Sequence, residues 1–163
     1  MRVRFLIAGT LVGGVVLSLL GWITAAMLPP RFKPFKDPHA VVETIRANVS
    51  EPDIYTAPQG VFVAVSSPIS NVGRHIVGQF GIEFLVAFGL SLVLRTARIN
   101  TSLGAAAFLG LIGLIAGIET HFPNWNWSGF PTSYLVAGSG YLAANWFIAG
   151  LALGALRRKL DGS

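Results

Sequence analysis

The chain contains no cysteine in 163 residues, which excludes disulfides, iron–sulfur ligation and thiol chemistry and erases any trace of the redox state of its compartment. Charge is nearly as scarce. Only 12% of residues are Asp, Glu, Lys or Arg, and almost all of them fall outside four long apolar runs. Signatures of familiar enzymes are missing as well: no Ser-His-Asp arrangement, no His-Glu-x-x-His, no phosphate-binding glycine loop and no carboxylate pair. The chain is therefore not expected to be an enzyme. The formal net charge of +5 would point to nucleic acid in a soluble protein. Here the basic residues sit at the ends of the apolar runs, so no nucleic-acid partner is expected and the basicity is read as a topology signal.

What is present is hydrophobicity, at 53% of residues. The runs cover about 5–28, 76–94, 103–118 and 135–156, each near the ~20 residues that a helix needs to cross ~30 Å of hydrocarbon. Unpaired backbone amides are costly in lipid, so only helices or closed barrels cross it, and these runs are too continuous for barrel strands. The expectation is an all-α membrane protein with four transmembrane helices. The first run extends about 24 residues against the ~7–15 of a signal-peptide core, so it is read as a retained anchor.

Seven of the 12 basic residues fall on the side that holds both termini: Arg2, Arg4, Arg95, Arg98, Arg157, Arg158 and Lys159. The turn from Thr120 to Tyr134 has none. The positive-inside rule then places both termini in the cytoplasm. Trp22, Trp125, Trp127 and Tyr134 lie at the opposite ends of the spans, where amphipathic rings favour the headgroup layer and act as interface anchors.

Residues 29–75 form an extracytoplasmic insert. After the Pro-rich exit Pro29 to Pro34, Asp37 and Pro38 make an N-cap and N1 pair, and Val41, Val42, Ile45 and Val49 share one face. This predicts a short helix from Pro38 to about Asn48. Residues 53–56 and 61–65 flank Ala57-Pro58-Gln59-Gly60, which predicts a β-hairpin.

Glycine, at 19 residues, is spaced for helix packing: Gly9 and Gly13, then Gly110, Gly113 and Gly117 with Ala106, then Gly150 and Gly154. Such small-residue stripes let backbones approach in lipid. Their occupant, a sister helix or a partner's, is left open by the spacing.

Polar residues inside the runs carry the remaining chemistry. His75, Gln79 and Glu83 recur every fourth residue, spanning ~80° of arc and ~12 Å of depth. Tyr141 and Asn145 lie on one face of the fourth run, and Glu119 and His121 close the third. A carboxylate in lipid is costly and marks a candidate site, with Tyr141 and then Asn145 as the expected partners of Glu83. The readings are hydrogen-bonding glue between helices, a proton or quinone site at Glu83, and a metal or tetrapyrrole site using His75, His121 and Glu119. No cofactor is expected, with bound lipid or pigment left open.

The stretch His121-Phe122-Pro123-Asn124-Trp125-Asn126-Trp127-Ser128-Gly129-Phe130-Pro131 reads as a rigid aromatic turn. With this Trp-Asn-Trp, Gly-Phe-Pro turn and the insert after the first run, the chain resembles a group of bacterial four-span inner-membrane proteins. That group has no established activity, so the resemblance implies a layout and no catalytic residues. Two functions follow as expectations. One is a non-catalytic accessory subunit of a larger membrane complex, such as a respiratory or photosynthetic electron-transfer assembly, whose partners are other membrane subunits and lipids. The alternative is a small transporter or proton-handling protein using the Glu83 cluster.

Overall fold

The structure is a computed structural model and describes residues 2–27, 35–51, 54–57, 61–65, 72–99 and 101–161. In chain order the elements are α1 (Arg2–Met27), α2 (Pro38–Asn48), β1 (Ile54–Ala57), β2 (Val61–Ala64), α3 (Val72–Ala97), α4 (Ser102–Ser128) and α5 (Thr132–Asp161). Among the described residues, four helices (α1, α3, α4 and α5) are long and apolar enough to cross a membrane. The helices outrun the apolar runs that announce them, because flanking polar residues extend a helix without adding hydropathy.

The largest difference lies in α4. The turn expected from Thr120 to Tyr134 is helical as far as Ser128, and only Gly129 to Pro131 break between α4 and α5. Pro123 sits inside the helix. Its missing N–H removes one bond, to the Glu119 carbonyl, while ending the helix there would orphan several carbonyls at once, which is costlier near lipid. Termination comes at Gly129, in the left-handed region at φ 67°, where a side chain would be strained. The amides of Gly129 and Phe130 both donate to the Asn124 carbonyl. At the other end Thr101 caps α4, its hydroxyl accepting from the Gly104 amide at 3.0 Å.

The four long helices belong to one compact unit, Met1–Pro29 with Gly73–Ser163. Its interior is built from small residues: Ala87, Ala105, Ala106, Ala149, Ser18, Ser91 and Ser139 are buried with Leu17, Leu90, Leu94, Leu109 and Leu153. Large side chains point outward, Leu85 at 70% and Val77 at 71% exposure. Lipid gives no hydrophobic drive between helices, so close backbone contact through small residues replaces the large-residue core of a soluble bundle.

The glycine spacing is used inside this unit. A methyl placed on Gly150 would stand 2.6 Å from Ala106 Cα, one on Gly154 2.6 Å from Ser102 Cα, and one on Gly117 2.6 Å from Ser139 Cα. Gly110 and Gly113 face Phe147 and Trp146. These contacts run antiparallel and zip α4 to α5. On α1, Gly9 faces Ser91, Gly13 faces Ala87, and both receive Leu153 of α5. The occupant of the Gly150 and Gly154 stripe, which spacing left open, is the sister helix α4.

The second unit, Pro30–Val72, holds α2 and a two-stranded sheet. Asp37 caps α2, its carboxylate accepting from the Ala40 amide at 3.0 Å, with Pro38 in the first turn. β1 and β2 pair antiparallel in the register Ile54↔Ala64 to Ala57↔Val61. Residues 58–60, where the turn is expected, and the proline-rich exit at 29–34 lie outside the described residues. The Tyr55 hydroxyl donates to the Glu51 carbonyl at 2.7 Å. No residue of α2 is buried.

Candidate functional site

The polar residues expected to form one intramembrane cluster are placed in four separate settings. On α3, Gln79 Nε2 donates to Glu83 Oε1 at 2.8 Å, so the carboxylate finds its partner one turn away on its own helix. Gly21 of α1 lies beside that carboxylate, since a methyl there would sit 3.7 Å from Glu83 Oε1. Neither Tyr141 nor Asn145 bonds to Glu83, which corrects the expected partners. The Thr24 hydroxyl of α1 instead donates to Asn145 Oδ1 at 3.5 Å, the long limit of a hydrogen bond. Equal depth in the membrane brings two helix positions level but does not turn them toward each other. With α1 beside both α3 and α5, Asn145 meets α1 and Glu83 meets its own helix first.

His75 is exposed in the first turn of α3, and Glu119 is exposed within α4, well before its end at Ser128. The His121 ring nitrogen Nδ1 lies 2.7 Å from the Gly117 carbonyl, and the ring packs edge-on against Tyr134 with centroids 5.1 Å apart. Gly138 leaves the room that this imidazole fills. Among the described residues, no three His, Cys, Asp or Glu side chains converge, so His75, His121 and Glu119 are not brought together.

The aromatic residues at this end divide. Trp125 Nε1 donates to Thr132 Oγ1 at 3.1 Å, and its ring leans on Phe122 at 5.4 Å. Tyr134 stacks edge-on with Phe130 at 4.9 Å. These contacts clamp the start of α5 to the end of α4. Trp127 is 85% exposed and Trp22 is 54% exposed, free to sit in a headgroup layer as amphipathic rings do.

A structural residue at the opposite end of the bundle is not marked as such in the sequence. The Arg157 Nη1 of α5 donates to the carbonyls of Leu94 at 2.8 Å and Ile99 at 3.1 Å. Its Nε lies 3.5 Å from Asp161. The end of α3 leaves carbonyls without intrahelical donors, and a guanidinium supplies both hydrogen bonds and a charge opposed to the negative end of the helix dipole. Sequence shows Arg157 only as one of several basic residues near the C-terminus, because its acceptors are backbone atoms about 60 positions away, at Leu94 and Ile99.

Among the described residues, three buried serine hydroxyls, Ser18, Ser91 and Ser139, have no hydrogen-bond partner. Comparison with known proteins matches no family model, no curated protein and no solved structure to this chain.

Proposed function

We propose that the chain is a non-catalytic integral-membrane subunit of a larger membrane assembly, in a bacterial inner membrane with both termini cytoplasmic. The observation that supports it most is Gln79. It lies three residues inside the apolar run that begins at 76, about one turn from its end, yet its side chain is exposed, and its one described bond is the donation to Glu83. Its amide oxygen has no described partner. A primary amide facing hydrocarbon is costly and finds its acceptor or donor in a neighbouring subunit. On the outer face of the same helix, Gly78, Gly81 and Gly89 meet nothing within 4 Å among the described residues, so another backbone has room to approach there.

An electron-transfer complex draws no support from any described residue, and the proposal stops at a membrane assembly. The transporter alternative would use the Glu83 cluster, of which the described contacts supply the Gln79–Glu83 hydrogen bond. Blue-native electrophoresis after extraction in the mildest detergent tests the proposal. Wild type is expected in a band well above its own 17.3 kDa, and Gly78→Leu with Gly89→Leu to release it as a folded monomer. Migration of wild type alone at monomer size overturns the subunit assignment. Orientation is checked separately: a cysteine at Thr44 is expected to react with an impermeant thiol reagent on intact cells and one at Arg158 to resist it, and the reverse pattern refutes cytoplasmic termini.

A further inference from the structure

Where α1 begins and α3 and α5 end, the side chains of Phe5, Leu92, Arg95, Thr96, Arg98, Arg157 and Asp161 line an open cleft of about 710 Å³. Its charge is unbalanced. Asp161 and two backbone carbonyls engage Arg157, whereas Arg95 and Arg98 make no ion pair or hydrogen bond among the described residues. Two guanidinium groups therefore face the cleft uncommitted.

We propose that this cleft binds the phosphate of an anionic phospholipid. Three features carry the assignment. Guanidinium groups match phosphate oxygens with paired N–H donors, and two of them near one point can hold a single phosphodiester from both sides. The cleft sits at the end of helices long and apolar enough to span a membrane, where lipid phosphates concentrate, and basic pockets between helix ends there select anionic headgroups. Its other walls suit the rest of the lipid. Phe5 and Leu92 supply apolar surface on the hydrocarbon side for a glycerol backbone and the start of an acyl chain. The Thr96 hydroxyl donates to the Leu92 carbonyl at 2.9 Å, which leaves its lone pairs free to accept from a headgroup hydroxyl such as that of glycerol.

Arg98 adds an independent sign. It is the one non-glycine residue with positive φ, at 55°, among the described residues. Glycine takes that conformation without strain at a helix end, while a residue with a Cβ crowds its own carbonyl there. An arginine here gives up local stability, and the cleft accounts for what its side chain supplies in return.

Arg157 has a different part. Its hydrogen bonds fix the end of α3 and so set the spacing of Arg95 and Arg98, which makes it a positioning residue for the cleft and leaves the other two as the headgroup ligands.

The experiment is native mass spectrometry of the full-length chain released from micelles doped with phosphatidylglycerol or phosphatidylcholine. Wild type is expected to retain one phosphatidylglycerol in preference to phosphatidylcholine. Arg95→Gln with Arg98→Gln should weaken that retention by about five-fold per arginine, roughly 25-fold for the pair. Arg158→Gln, which removes a charge at the same end but outside the cleft, should leave it unchanged. Circular dichroism of each variant shows whether the helices persist, and Arg95→Lys with Arg98→Lys, which keeps the charge but not the paired donors, should retain intermediate affinity. Equal retention of the two lipids, or equal loss in Arg158→Gln, overturns the site in favour of diffuse surface charge. Displacement of phosphatidylglycerol by 10 mM inorganic phosphate overturns the lipid assignment in favour of a soluble anion.

Discussion

Replacing Gly150 by alanine tests whether backbone contact holds the α4–α5 pair. The added methyl would lie 2.6 Å from Ala106 Cα, 2.7 Å from the Ala105 carbonyl oxygen and 2.9 Å from the Ala106 nitrogen. Each neighbour is backbone and cannot swing aside, and carbon–carbon contact settles near 3.5–4.0 Å. The two helices must part locally by about 1 Å. A gap of that size forfeits a quarter to a half of each pair's ~0.1–0.2 kcal/mol. Over the ~40–60 atom pairs that one buried side chain's worth of contact represents, the loss runs from about 1 to 6 kcal/mol, with mid-values of about 3. Measured overpacking costs of ~1–3 kcal/mol are consistent with it. Gly140→Ala on the same helix is the control, since nothing lies within 4 Å of a methyl there. Both variants gain the same intrinsic helix propensity, up to ~1 kcal/mol, so their difference isolates packing. The assay is equilibrium unfolding in mixed micelles, titrating a denaturing detergent and following helicity. A Gly150→Ala variant within about 0.5 kcal/mol of Gly140→Ala would refute backbone contact as the source of association.

Two further substitutions use the same titration. Arg157→Met keeps the apolar stem but leaves the Leu94 and Ile99 carbonyls without their donor; with the side chain only 18% exposed, the expected cost is about 2 kcal/mol, roughly halved in Arg157→Lys, and a Met variant as stable as wild type would show that water caps α3 equally well. Ser91→Ala removes a buried hydroxyl that has no partner, so it should be neutral or stabilising by up to about 1 kcal/mol. Because a methyl on Gly9 would lie 2.5 Å from Ser91 Oγ, Gly9→Ala should cost less in the Ser91→Ala background than alone; additive effects would deny the contact.

Hydropathy and cap chemistry made most of the architecture legible. The α2 boundaries follow from Asp37 and Pro38, and the four long helices follow from runs that no other structure can carry through lipid. Helix ends were less legible. A proline at 123 looks like a stop signal in sequence, but the cost of stopping depends on how many carbonyls lose their donors, which only the following residues and the solvent decide. The glycine positions were readable as packing sites, because spacing alone fixes which residues share a face. Which neighbour covers that face depends on the order of helices around the bundle, and spacing is silent on it. The same limit explains the dispersal of the polar residues. His75, Gln79 and Glu83 do share one side of α3, but the intervening α1, with Gly21 beside Glu83 and Thr24 bonded to Asn145, takes up the contacts that depth alone assigned to α5. Arg157 was visible only as a charge, since its acceptors are backbone atoms without any sequence signal.

The open face of α3 and the exposed amide on its flank carry unequal weight as evidence for a partner. Gly78, Gly81 and Gly89 make a shallow notch, and an acyl chain fills such a notch at little cost, so small residues alone do not demand a protein neighbour. Exposed Leu85 and Val77 are equally content in lipid. Gln79 differs in kind, because hydrocarbon offers no hydrogen bond to an amide oxygen at any distance. Its bond to Glu83 uses one N–H, and the oxygen has no hydrogen-bond donor among the described residues. Substituting Gln79 by leucine should therefore have opposite effects in two settings. In the isolated chain it exchanges an unsatisfied amide for a side chain that lipid solvates, at the cost of one bond worth ~0.6 kcal/mol, and stability should hold. In the native assembly it deletes the polar contact and should loosen the complex on a native gel, and an assembly indifferent to Gln79→Leu would place the partner on some other face.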